Sequence, residues 1–185
     1  MKHIRFEITG VAPLMMNHNN GNLRPAWFEE LCAKEGKSAD DYERIYKHEW
    51  ASKLYLTDRG PAIPACYFES MLREVMVRRR ADSRFNCSVS EDVDLQYEGP
   101  RDPDGMWADG RFTCRSSIRL GKEHLNVVRL YPQWDVWNCE FTIALDPSVD
   151  CASAVEVVQL GGRIRGVGCW RPRYGRFAIN SVMGL

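Results

Sequence analysis

The sequence predicts an α+β fold of the ferredoxin-like (RRM-like) kind, an antiparallel sheet with helices on one face and inserted segments. Three observations predict it. The first segment, Lys2 to Thr9, alternates, with Ile4, Phe6 and Ile8 on one face and His3, Arg5 and Glu7 on the other, the period of a half-buried strand. Apolar stripes at helical spacing mark helices over 40–56 and 64–80, and a third over 148–160. Strand patterns fill 111–120, 125–145 (read as a hairpin) and 175–182. Stripped of insertions, the order is β-α-β-β-α-β. At 185 residues the chain suits one domain, 1–185, with an insertion at about 81–110.

Gly10 ends the first strand, and the apolar Val11 to Met16 runs into the turn-forming loop 17–22. Residues 23–37 read as one short helix carrying Trp27, Phe28 and Leu31. Ser38 stands three residues before Asp41, a capping-box start, and Tyr42, Ile45, Tyr46, Trp50 and Leu54 follow at helical spacing. Pro64 fits the first turn of the next helix, whose buried stripe is Phe68, Met71, Leu72 and Val75. Residues 87–97 suit one edge hairpin, and 99–105 is a loop by its turn chemistry. Strands 111–120 and 125–131 flank a turn at Gly121 and Lys122. Asp146 and Pro147 read as N-cap and first helical residue. Gly161 and Gly162 then suit the C-cap of the helix they follow.

Lysine plus arginine number 25, as do the acids, so the net charge is zero. No whole-chain argument for a polyanionic partner is available, but the distribution is uneven. Seven acids lie between Glu91 and Asp109 against Arg101 alone, whereas no acid follows Glu156. Such polarity steers an anion toward one face. The seven cysteines form no CxxC pair, which points to free thiols in a reducing cytoplasm. No signal peptide and no apolar run long enough to span a bilayer are visible.

The stretch richest in chemistry is Gly161 to Phe177, GGRIRGVGCWRPRYGRF. Gly161, Gly162, Gly166 and Gly168 allow close backbone approach to a ligand. Arg163, Arg165, Arg171, Arg173 and Arg176 fork onto phosphate oxygens, and Trp170 and Tyr174 offer rings to an unstacked base. Without a ligand, the same glycines suit a helix-to-strand turn, and Trp170 and Phe177 suit the core. Arg78, Arg79 and Arg80 make either a second phosphate patch or a set of cations complementing a helix C-terminus.

With these residues in view, the chain resembles the RAMP superfamily of CRISPR-associated proteins, built on ferredoxin-like domains. The resemblance rests on the first strand entering Thr9 to Leu14 and on the glycine-rich loop from Gly161 to Gly168, continued to Arg176. It covers about thirty residues at the two ends. The tail, Gly-x-Gly…Trp-Arg-Pro…Gly-Arg-Phe, is also similar to short RAMP-related proteins of bacteriophages. The resemblance implies RNA binding, with Gly161, Gly162, Gly166 and Gly168 against the backbone and Arg163 and Arg165 on phosphates. The inserted segment and the neutral charge depart from a strongly basic RNA processor.

The expected function is non-catalytic binding of single-stranded nucleic acid, RNA favoured over DNA, with no cofactor, no metal and no membrane. Two other classes stay open. One is a structural or filament-forming subunit using Trp107, Trp134 and Trp137 for protein contacts. The other is a metal-independent endoribonuclease with His18, in the loop after the first strand, as general acid or base. Neither HExxH nor a calcium-loop spacing occurs.

Overall fold

A computed structural model describes residues 1–18, 24–79, 87–120 and 125–184. Its elements run β1 (Lys2–Gly10), β2 (Leu14–Met15), α1 (Ala26–Ala33), α2 (Ala39–Ala51), β3 (Leu56–Thr57), β4 (Gly60–Ile63), α3 (Ala65–Arg79), β5 (Cys87–Val89) and β6 (Val93–Asp94). They continue α4 (Pro103–Asp109), β7 (Thr113–Leu120), β8 (Leu125–Trp134), β9 (Asn138–Leu145), α5 (Cys151–Ile164) and β10 (Phe177–Gly184). Contacts divide the chain into one unit of Met1–Met15, Tyr55–Gly99 and Trp134–Leu185, and a second of Met16–Leu54 and Pro100–Gln133.

The first unit is the ferredoxin-like one. Its four-stranded sheet has the order β10-β1-β9-β5, and all three pairings are antiparallel. Counting β1-α3-β5-β9-α5-β10 along the chain gives the β-α-β-β-α-β unit. The alternation in β1 buries Ile4, Phe6 and Ile8. Phe6 stacks on Phe141 of β9 at 5.3 Å between ring centroids, and Phe68 of α3 stacks on Phe141 at 4.3 Å. Phe68 also meets Phe177 of β10 at 6.4 Å. Met71, Leu72 and Val75 complete the buried stripe of α3.

Two strands of the sheet differ from those expected. The second is β5, only three residues long and inside the stretch read as an insertion, and it pairs with β9. The expected hairpin within 87–97 does not form, because β6 pairs with β4 instead. Strands 111–120 and 125–131 do exist, as β7 and β8, but they pair with each other in the second unit. Alternation marks a strand; it does not say which sheet receives it.

Helix ends also moved. Asp150, not Asp146, caps α5, accepting from the Ser153 amide at 3.0 Å, while Asp146 folds back on the Ser148 amide at 2.8 Å. At the other end α5 runs through Gly161 and Gly162 to Ile164. They are glycines for want of room. A Cβ on Gly161 would lie 2.9 Å from Met71 Sδ, and one on Gly162 would lie 2.7 Å from the Phe177 carbonyl oxygen. Residues 99–105 are not wholly loop, since Asp102 caps α4 and accepts from the Gly105 amide at 2.7 Å.

In the second unit the Ser38–Asp41 capping box opens α2 as expected. The Asp41 amide donates to Ser38 Oγ at 3.2 Å, and Asp41 Oδ2 accepts from the Ser38 amide at 2.9 Å. Lys34 Nζ reaches the same oxygen at 2.6 Å. The lysine first and the capping amide second hold the Asp41 carboxyl down, from the ordinary 3.8 to about 2. Trp50, fully buried, donates from Nε1 to the Phe112 carbonyl at 3.0 Å. Trp134 and Trp137, expected as exposed contact residues, are core residues of the first unit. Trp137 is aligned by an Nε1 bond of 2.9 Å to the Ala12 carbonyl. Trp107 is half-buried and donates to Glu43 at 2.7 Å.

Phe68→Ala, which removes the ring joining helix to sheet, is expected to cost about 3–5 kcal/mol, read from urea unfolding at neutral pH. A depressed carboxyl stabilises the fold fully above its unfolded value and loses that contribution as pH falls through the folded one. Stability from Asp41 is therefore complete above about pH 4 and disappears toward pH 2. Asp41→Asn should flatten the fall in urea midpoint between pH 5 and pH 2.5; an unchanged fall would refute this cause.

Candidate nucleic-acid interface

The glycine- and arginine-rich stretch folds as a compact loop from Arg165, the C-cap of α5, to Arg176 before β10. It is built against the segment that leaves β1. Gly10 and Phe177 are the last paired residues of the two strands, and the chains stay side by side beyond the ladder. The Val11 amide donates to the Arg176 carbonyl at 2.8 Å, Gly175 to Pro13 at 2.7 Å, and Cys169 to Met15 at 2.9 Å. Within the loop, Val167 donates to Gly175 at 2.9 Å.

This packing explains the loop glycines. Gly166, Gly168 and Gly175 have φ of 73°, 82° and 71°, a region disfavoured by any side chain. A Cβ on Gly168 would approach the Met15 carbonyl oxygen to 2.6 Å, and one on Gly175 would collide with the Val167 carbonyl. Gly161, Gly162, Gly166 and Gly168 are all buried, so the close approaches they allow are to the protein's own chain.

The arginines divide into two sets. Arg165 and Arg171 turn inward, both to Glu74 on α3: Arg165 is ion-paired with it, and Arg171 Nη2 lies 3.7 Å from its other oxygen. Sequence reasoning missed Glu74. Its signal was there, one turn along α3 from Met71, at the border of the apolar stripe. Arg163, Arg173 and Arg176 are exposed. Trp170 is 40% exposed and, alone among described non-glycine residues, has positive φ, at 54°. A bulky residue is an outlier in that region, and such outliers concentrate at functional sites. Tyr174, half-buried, meets the Trp170 ring edge-on at 6.1 Å, and the Arg173 guanidinium lies 5.8 Å from the Tyr174 ring. The Arg171–Pro172 peptide is cis.

Of the other candidates, Arg78 is exposed near the end of α3, Arg79 is the last residue of that helix, and Arg80 lies outside the described residues. His18 belongs to the second unit, its amide donating to the Lys53 carbonyl at 2.9 Å.

The face of the sheet away from α3 and α5 has a different character. Thr9 Oγ1 joins Asn138 and Asn180, each at 2.7 Å, across three strands, and Ser181 donates to Glu7 at 2.9 Å. Beside them a hollow of about 470 Å³ is lined by Glu91, Asp92, Asp94 and Glu140 against Arg5 and Arg59. Its excess of carboxylates repels phosphate.

No protein-family model matches the chain, and no curated protein matches it in sequence. In fold it is similar to a chain in a cryo-EM structure of the Type III-B Cmr-beta bound to cognate target RNA. The TM-score is 0.59 over 100% of this chain at 10% identity, and this chain spans 60% of the length of that one. At that identity the likeness is one of fold.

Gly175→Ala should destabilise the protein by more than the roughly 1–2 kcal/mol of a left-handed backbone alone, because it also meets Val167. Gly36→Ala, at φ 64° with no atom near the added methyl, supplies the backbone-only comparison. Equal losses in urea unfolding would contradict the packing account.

Proposed function

We propose that the protein binds single-stranded RNA without cleaving it, through Arg163 in the last turn of α5 and the outer side of the loop from Arg165 to Arg176. The observation that carries this reading is Trp170, exposed at positive φ on a loop otherwise pinned by main-chain hydrogen bonds. A fixed, exposed indole is suited to stacking on an unpaired base, a contact worth about 1–3 kcal/mol by alanine substitution. Arg163, Arg173 and Arg176 supply cations for the flanking phosphates. The acidic hollow disfavours the sheet face as an alternative route. Base stacking favours a single strand over a duplex, whose bases are already stacked. The ferredoxin-like sheet, the loop's position between the last helix and last strand, and the fold likeness support kinship with RAMP-type proteins and RNA as the ligand.

Fluorescence anisotropy with a labelled single-stranded RNA of about 12 nucleotides, the matching DNA and a duplex tests the reading. Binding should be salt-sensitive and strongest for single-stranded RNA. Trp170→Ala should weaken it about tenfold. Replacing Arg163, Arg173 and Arg176 together by alanine should reduce the slope of log affinity on log salt by about 2, at ~0.7 per phosphate contact on a single strand. Absence of binding at low salt, or binding indifferent to both variants, would overturn it.

A further inference from the structure

We infer that Glu74 is the positioning residue of the RNA site, a carboxylate on α3 that holds Trp170 in its exposed conformation by gripping the loop on both sides of it. The inference rests on the reading of Trp170 as the stacking residue. Arg165 stands where the loop leaves α5, and Arg171 directly follows Trp170; Glu74 takes both guanidinium groups. On the other side of Trp170, the Cys169 amide is fastened to the Met15 carbonyl at 2.9 Å. Both neighbours of the left-handed residue are therefore anchored, one by the main chain and one by charge. That is the over-determination a strained backbone needs in order to persist.

The charge balance makes Glu74 hard to replace. Arg165 and Arg171 are each 24% exposed in their side chains, and Glu74 is 32% exposed. Arg165 Nε and Arg171 Nη1 are buried without a hydrogen-bond acceptor among the described residues. One carboxylate thus offsets two guanidinium groups already short of acceptors. Without it, two partly buried cations repel each other with nothing between them, and Arg171 leaves, taking its constraint on Trp170 with it. Glu74 does not touch the ligand; it acts through the loop.

Two measurements on the full chain test this. Amide hydrogen exchange should be at least tenfold faster in Glu74→Gln than in the native protein at Val167, Cys169 and Gly175, with the Gly10 amide, bonded to Trp137, unchanged. In RNA titrations, Glu74→Gln should weaken binding about fivefold, and combining it with Trp170→Ala should cost nothing beyond Trp170→Ala alone. Such non-additivity marks residues acting as one unit, and a merely destabilising change would not produce it. Glu74→Asp, which keeps the charge, should recover part of the exchange protection. Unchanged loop exchange, additive losses, or tighter binding by Glu74→Gln would each overturn the inference. If the native protein binds no RNA, the functional reading fails, while the exchange experiment still decides whether Glu74 holds the loop.

Discussion

The contact on which the first unit depends is the one between the segment leaving β1 and the loop entering β10. Because these strands are antiparallel neighbours, the end of one and the start of the other meet at the same end of the sheet. Their ladder stops at Gly10 and Phe177, but the main chains go on exchanging hydrogen bonds through Val11, Pro13 and Met15. Backbones that approach so closely leave no space for side chains on the inner side of the loop. Gly168 follows from that, since a Cβ there would meet the Met15 carbonyl. Gly166 and Gly175 follow from the loop's own chain crossing itself there, where a Cβ on one would meet Gly175 and on the other Val167.

Rigidity and display are linked here. A loop of this length with only polar surface contacts would sample many conformations, and ordering it on binding would subtract from affinity. Main-chain bonds to β1's exit segment, and two guanidinium groups beside the one Glu74 carboxylate, tie this loop to the rest of the unit. The hollow on the sheet face away from α3 and α5 carries more carboxylates than cations, whereas Arg163, Arg173 and Arg176 are exposed with no acid after them in the chain.

Where local rules govern, the sequence was legible. The alternation of Ile4, Phe6 and Ile8, the Ser38–Asp41 box and the stripe from Phe68 to Val75 each rest on residues close in the chain, and each appears as expected. Three-dimensional choices were not legible. Three residues of β5 complete the sheet through pairing with β9, and no pattern that short announces a strand. Gly161 and Gly162 look like a helix stop because glycine often is one. Here they are interior positions where Met71 and Phe177 press on the helix. Trp134 and Trp137 read as protein contacts because aromatic residues are enriched at interfaces; both are core residues instead, and for Trp137 the Ala12 carbonyl accepts the indole N–H inside the core.

The same distinction governs the charge of the loop. Read along the chain, five arginines without a following acid look like one undivided cationic patch. Charge compensation, however, works through space, and the acid that balances Arg165 and Arg171 comes from α3, nearly a hundred residues earlier. Three arginines stay at the surface, and two serve to hold the shape. Density of like charge in a sequence therefore overstates a binding site wherever a neighbouring helix supplies a carboxylate. What separates the two kinds of arginine is burial: a guanidinium drawn partly out of water must find an anion within its own fold, whereas an exposed one can wait for a ligand.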